Sequence, residues 1–342
     1  MENALEKTHL KLGFIPLLDC APLVVAREKG FFAKNGLDVV LVRESNWANI
    51  RDKVAFGLLD GAQMLSPLPL ASTLGLGCKK VPMITGLTLS LNGNAITLAK
   101  HIFEEMAPQL RNDGKASPAE VGTAFKHWLE KQPHKPKIAT VFPYSCHFYQ
   151  LRYWLTAAGI DPDHDIDLVA ISPVKMLETL KAGEIEGYCV GEPWNTLAEL
   201  DGAGQIAVTG FQIWPDAIEK VFGVTEAWAK ENPNTHKAVM KSLLEACHWL
   251  RQTDPETRKE LMQLLALPPY LDESVLPFAT LPDEHSIHQV FYSTQANAPE
   301  HSHAYLMLDQ MERTGQWKEA NRQSIVEQVY RTDIYQSILS AG

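Results

Sequence analysis

The sequence predicts an α/β protein with two α/β lobes, and three observations carry that expectation. Short apolar runs with strand character alternate with helical runs over residues 10–190. At ~150 residues per domain, a chain of 342 residues amounts to about two domains. Hydrophobic residues make up 45% and charged residues 21%, enough apolar side chain to fill real cores. Such alternation predicts parallel sheet covered by helices on both faces.

The elements follow in order along the chain. Residues 10–16 (LKLGFIP) read as a buried strand, 22–29 (PLVVAREK) as a helix, 30–36 as a turn and 37–42 (LDVVLV) as the next strand. A helix is expected over 47–56, capped by Ser45 or Asn46. A short strand at 61–65, a helix from Pro67, and strands at 83–89 and 95–99 come next. Residues 101–134 read as charged helix broken at Gly114 and Pro118. A strand at 137–142, a helix at 147–158 closed by Gly159, a strand at 167–171, a helix at 175–182 and a strand at 185–190 complete the second block. From Phe211 onward the chain reads as largely helical, with a proline-rich stretch at Pro268, Pro269, Pro277 and Pro282. One lobe is expected to take residues 1–99 and 210–342, with a C-terminal helical return, and the other 100–209.

Charge and composition exclude several classes. A net charge of −10 argues against non-specific nucleic-acid binding, which needs a cationic surface. No apolar run approaches the ~18 residues of a membrane span. The start Met1-Glu2-Asn3-Ala4-Leu5-Glu6-Lys7 is polar and lacks the apolar core of an export signal, so a cytoplasmic location is expected. The five cysteines are scattered without a CxxC pair, as buried thiols of a reducing compartment would be. No G-x-S-x-G, H-E-x-x-H or P-loop occurs, so a binding protein is expected and not an enzyme. Asp283-Glu284-His285 and His301-Ser302-His303 could meet a metal, but a metal site needs convergent ligands, and neither a metal nor a cofactor is expected.

Ligands of open α/β sheets bind outside the carboxyl ends of strands, so a cleft between the lobes is the expected site. Several residues fall at such ends. Asp19 precedes a helix with proline in its first turn; it reads as an ordinary cap or as part of an anion-binding turn. Trp47 starts a helix amid Ser45, Asn46 and Asn49. Its indole N–H can donate but never accept, which selects anions if it lies in the cleft. Asn94 lies at the expected crossing between lobes, where Asn92-Gly93 alone would make a turn. His147 starts a helix after Phe142-Pro143-Tyr144-Ser145-Cys146. Glu192 and Trp194 lie in the loop after the strand at 185–190, and Lys220 precedes an apolar stretch with strand character.

These strings together resemble the nitrate- and bicarbonate-binding family of ABC-transporter solute receptors. The carrying residues are 12–39 (LGFIPLLDCAPLVVAREKGFFAKNGLDV), 46–52 (NWANIRD), 91–97 (LNGNAIT), 142–162 (FPYSCHFYQLRYWLTAAGIDP), 190–195 (VGEPWN) and 218–223 (IEKVFG). They cover nearly the whole chain in order. The resemblance implies the type II periplasmic-binding-protein fold. It also implies a nitrate pocket of Trp47, Asn94, His147 and Lys220, with Ala48 supplying backbone and Asp19, Glu192 and Trp194 behind them. Three departures bear on the choice between nitrate and nitrite. Asn94 stands where nitrate receptors carry Gln, Ala48 replaces Gly, and Tyr144-Ser145-Cys146 replaces a Gly-rich stretch. In the family reading Lys220 supplies the charge and Trp47, Asn94 and His147 supply N–H groups to a flat, weakly hydrated anion.

With its polar start, the chain more closely resembles the cytoplasmic NasS-type nitrate/nitrite sensor. That resemblance implies a partner, an RNA-binding antiterminator response regulator of the NasT type, released when ligand shifts the lobes toward closure. The alternatives are a solute-binding protein of a nitrate, nitrite or bicarbonate ABC transporter, and an enzyme similar to thiamine-pyrimidine-precursor synthases. The latter carry a dense cysteine motif, whereas Cys146 stands alone here.

Overall fold

The computed structural model describes residues 4–110, 116–251, 254–281, 288–293, 295–318 and 321–340. Among them the strands are β1 (His9–Phe14), β2 (Asp38–Arg43), β3 (Gly61–Leu65), β4 (Met83–Leu91), β5 (Asn94–Ala99), β6 (Lys137–Thr140), β7 (Asp167–Ala170), β8 (Gly187–Gly191), β9 (Gly204–Thr209) and β10 (Ile218–Thr225). They form two five-stranded sheets, in the orders β2-β1-β3-β10-β4 and β7-β6-β8-β5-β9. The chain divides into two compact units, one of residues 1–91, 218–281 and 289–342, the other of residues 92–217 and 282–288. The exchanges thus fall at 91/92 and 217/218, where the sequence alone suggests 99/100 and 209/210. The reason is strand pairing: β5 bonds to β8 and β9, and so belongs with the second unit.

In the first unit, β3 and β4 are buried along their whole length, as strands covered on both faces should be. Phe14, Leu23, Val24, Leu87, Phe222 and Met240 meet in its core. Helix Pro233–Leu250 packs on helix Ala21–Glu28 there. The C-terminal segment is tied to the same sheet through Tyr330, whose hydroxyl donates to the Ser66 carbonyl at 2.8 Å. In the second unit, Phe125 packs between Trp128 and Trp154, at ring-centre distances of 5.5 and 5.6 Å.

Several expectations are corrected. The sheets are mixed, not wholly parallel: β1 pairs parallel with β2 and β3, and β6 with β7 and β8, but β10 runs antiparallel to β3 and β4. β5 likewise runs antiparallel to β8 and β9. Leu91, the last residue of β4, pairs with Ile218, the first of β10, so the strand on which the chain leaves the first unit and the one on which it returns run opposite ways. The region after Phe211 is not only helical, since it holds β10, and Lys220 lies inside that strand instead of ahead of it. β9 and the helix Trp194–Asp201 were not expected at all. The turn at 30–36 contains a short helix, Phe31–Lys34, bracketed by Gly30 and Gly36 at φ 77° and 76°, a backbone region that favours glycine.

The charged stretch resolves into helices Lys100–Met106 and Pro118–Leu129, the second opened by a Ser117–Glu120 capping box. Gly114, Pro282 and Asp283-Glu284-His285 lie outside the described residues. His301 Nε2 meets the Tyr330 carbonyl at 3.1 Å. Among the described residues no three His, Cys, Asp or Glu side chains are grouped to hold a metal, and no helix is long and apolar enough to cross a membrane.

Candidate functional site

The expected site residues fall on both units. The first unit carries Asp19, Trp47, Ala48 and Lys220. Asp19 sits on the single turn Leu18–Cys20 that follows β1, and its side chain is buried. Gln63 of β3 fixes it: its amide Nε2 donates to Asp19 Oδ1 at 2.5 Å, while its Oε1 accepts from the Ile15 N–H at 3.0 Å. Lys220 lies in β10 opposite Leu65 of β3 and Ser90 of β4. The pairing of β10 with β4 shifts register on both sides of Lys220. Regular alternation would send Glu219 and Lys220 to opposite faces; the shifts interrupt it, and the two side chains meet.

Lys220 is fully buried, with Nζ 2.7 Å from Asp19 Oδ2 and 2.5 Å from Glu219 Oε1. Burial alone would push its ammonium down, but the carboxylates of Asp19 and Glu219 outweigh burial and hold it above its ordinary value. Burial raises Asp19 to about 6, against the pull of Lys220 and with a push from the Glu219 charge. The cation expected at position 220 does not stand alone. It is one ammonium set between two carboxylates, a cluster of formal charge −1.

Trp47 opens helix Trp47–Ala55, whose cap is Asn46, the side chain accepting from the Asn49 N–H at 2.9 Å. The indole is fully buried, and the Lys220 ammonium lies 5.3 Å from its ring centre. Its Nε1 has no hydrogen-bond partner among the described residues. Ala48 is half-buried, and its N–H is one of the first-turn amides that a helix leaves without an intrahelical acceptor.

The second unit carries Asn94, His147, Glu192 and Trp194. Asn94 opens β5, opposite Gly191, and donates through Nδ2 to Gln150 Oε1 at 3.2 Å. Gln150 and the buried His147 share helix Cys146–Ala157. Ser145 caps that helix, accepting from the Phe148 N–H at 3.0 Å and donating to the Phe142 carbonyl at 2.6 Å. The structure so brings Asn94 alongside the His147 helix.

Glu192 does different work. It accepts from the Thr196 hydroxyl at 2.7 Å and the Thr196 N–H at 3.2 Å, which ties down the start of helix Trp194–Asp201. Burial pushes its carboxyl up to about 7 despite those bonds. Trp194 is half-buried, and its Nε1 is enclosed without a hydrogen-bond partner among the described residues. Sequence reasoning missed Glu219, Gln63 and Gln150. Gln63 could have been found as a lone amide inside the strand string GAQML, where nothing apolar would take its place without orphaning the Ile15 N–H.

Residues 3–266 match the NMT1-like family. The chain is 41% identical over 356 residues to the nitrate import ATP-binding protein NrtC of Synechocystis, covering 97% of this chain and 50% of that protein. It thus spans about half the length of the first curated relatives it matches. It is 32% identical over 354 residues to the nitrate/nitrite binding protein NrtA of Nostoc, covering 98% of this chain and 78% of that one. The crystal structure of the periplasmic nitrate-binding protein NrtA from Synechocystis superposes with a TM-score of 0.88 at 31% identity, over 99% of this chain and 90% of that one. The chain belongs to the NMT1-like family and, within it, to the group that includes the nitrate/nitrite binding protein NrtA.

Proposed function

We propose that this chain is a nitrate- or nitrite-binding receptor module of the kind that serves an ABC importer, and that it binds its ligand without chemistry. The observation that carries the reading is the buried Trp47 Nε1–H, a donor without a partner whose ring lies against the Lys220 ammonium. A buried donor left unmade costs ~1–3 kcal/mol, so an acceptor brought to the Trp47 Nε1–H gains that much. An indole N–H and a third ammonium N–H, with the first-turn amide of Ala48, suit a small planar oxyanion. The similarity to the nitrate/nitrite binding protein NrtA supports nitrate or nitrite, and bicarbonate is the competing anion, since the bicarbonate transport ATP-binding protein CmpC is 41% identical over 97% of this chain. A thermal-shift panel of nitrate, nitrite, bicarbonate and sulfate tests this, since a ligand that binds only the folded chain raises its melting point by mass action. Nitrate or nitrite should raise it most; a panel without any shift, or led by bicarbonate or sulfate, ends the reading.

A sensing role is the second reading, favoured by the 41% identity to half of an ATP-binding protein. A receptor fold resident in such a protein would report its ligand instead of carrying it. Under this reading the partner is an ATP-binding transport component or the RNA-binding antiterminator regulator, and the setting is cytoplasmic. Gel filtration with each partner, with and without nitrate, tests it; complexes indifferent to ligand would end it.

A further inference from the structure

The charge of the Lys220 cluster poses a problem for any anion. Asp19, Glu219 and Lys220 are all at most 1% exposed, and their formal charge is already −1. A second negative charge at the Lys220 ammonium would face two carboxylates in a poorly screened interior. Lys220 has three N–H donors, and Asp19 and Glu219 take two of them. One N–H does not offset the repulsion of two carboxylates.

A proton on one of those carboxylates removes the conflict. Protonated, that carboxyl loses its charge and gains an O–H donor, and the cluster plus a monovalent anion keeps its formal charge of −1. Asp19 is the better seat. Its Oδ1 is held by the neutral Gln63 amide, so a protonated carboxyl keeps that bond; the proton sits on Oδ2 and is directed away from the Lys220 ammonium, whose N–H that oxygen still accepts at 2.7 Å. The ionisable groups about Asp19 are Lys220 and Glu219 of β10 and the Cys20 thiol on its own turn, which burial keeps neutral; Arg43 of β2 acts on Cys20.

We propose that the site takes a monovalent anion together with one proton, carried on the Asp19 carboxyl. This rests on the reading of Lys220 and Trp47 as the anion site. It gives Asp19 a role in specificity. A divalent anion such as sulfate would need a second proton, on Glu219, and is therefore disfavoured. It also sets a pH dependence. Ionised Asp19 must be reprotonated as pH rises, so nitrate affinity falls about tenfold per pH unit above the free carboxyl's range, and uptake vanishes where Asp19 is already protonated.

The test is calorimetric titration of nitrate into the full chain at pH 7.5, in phosphate and in Tris, whose ionisation heats differ. The difference counts protons, and about one per nitrate is expected, falling toward none at pH 5. Saturable nitrate binding with equal heats in both buffers overturns proton coupling and leaves the nitrate reading standing. No binding in either buffer overturns both. Asp19→Asn, checked for folding by circular dichroism, should bind nitrate without proton uptake and with a flat pH profile; persistent uptake overturns the assignment to Asp19. Glu192→Gln serves if Asp19→Asn does not fold. It should keep the full uptake, and its loss would move the proton to the second unit and overturn the proposal.

Discussion

The Lys220 ammonium lies 5.3 Å from the centre of the Trp47 ring, and the Nε1 of that same ring has no hydrogen-bond partner among the described residues. The indole face attracts the cation while the indole edge holds a donor in reserve. One side chain thus both positions the charge and completes the donor set.

Removing the cation should cost stability as well as binding. Lys220→Met leaves the buried Asp19 and Glu219 carboxylates facing each other without a counter-charge. Breaking a buried pair on one side costs ~3–5 kcal/mol. Calorimetry should find nitrate binding abolished, and a thermal melt should find a lower melting point. Undiminished nitrate affinity in this variant would remove Lys220 from the site.

Trp47→Phe separates the two roles of the indole. The ring face stays under Lys220, but the donor is lost. A hydrogen bond to a charged group contributes ~1.5–3 kcal/mol, so nitrate affinity should drop roughly tenfold or more. Stability should change by only ~1–2 kcal/mol, because the lost volume is partly offset by losing an unpartnered buried N–H. Equal affinity of the two proteins would mean that Nε1 does not meet the ligand.

Asn46→Ala tests the scaffold under Trp47. Asn46 caps helix Trp47–Ala55 through the Asn49 N–H at 2.9 Å, and losing such a cap costs ~1 kcal/mol. The melting point should fall by a few degrees, and nitrate affinity should weaken with it, as the helix start that carries Trp47 and Ala48 frays. A lower melting point with unchanged affinity would separate the cap from the site.

Glu192 predicts a pH dependence of stability. Burial raises its carboxyl from 4.5 to about 7, so its contribution is full below pH 4.5 and is lost as pH rises through about 7. The loss amounts to about 3 kcal/mol. Glu192→Gln keeps an acceptor for Thr196 without a charge. Melting curves of the variant should decline less between pH 5 and 8 than those of the parent; parallel decline would show that Glu192 is not the group responsible.

The first unit's opening was legible because its elements are pure in pattern. The strand at β1, the helix after Pro22, the Asn46-capped helix and β3 all follow from apolar runs and caps. β10 was legible only in its second half, as the apolar stretch after Lys220. Its first residues, Ile218-Glu219-Lys220, put two charges in sequence, which reads as a solvated face; here both are buried, and Lys220 pairs with Glu219 and Asp19 in a cluster of formal charge −1. The antiparallel pairing of β10 and β5 was hidden for a related reason. Strand periodicity states which face is buried but not which neighbour a strand returns to. Trp47 and Lys220 were marked separately, at positions 173 residues apart, and only the fold brings them within 5.3 Å. Glu219 lies within the 218–223 string and Gln63 within the strand string GAQML, but the partners that give them their roles emerge only from the fold.

The most direct test is the Trp47 indole itself. Its Nε1–H resonance can be assigned by its absence in Trp47→Phe and followed by NMR as nitrate is added. The account predicts a saturable shift of that resonance, with the same midpoint as nitrate binding by calorimetry. Nitrate binding that leaves the Trp47 resonance unmoved, or a chain that binds no nitrate, would contradict it.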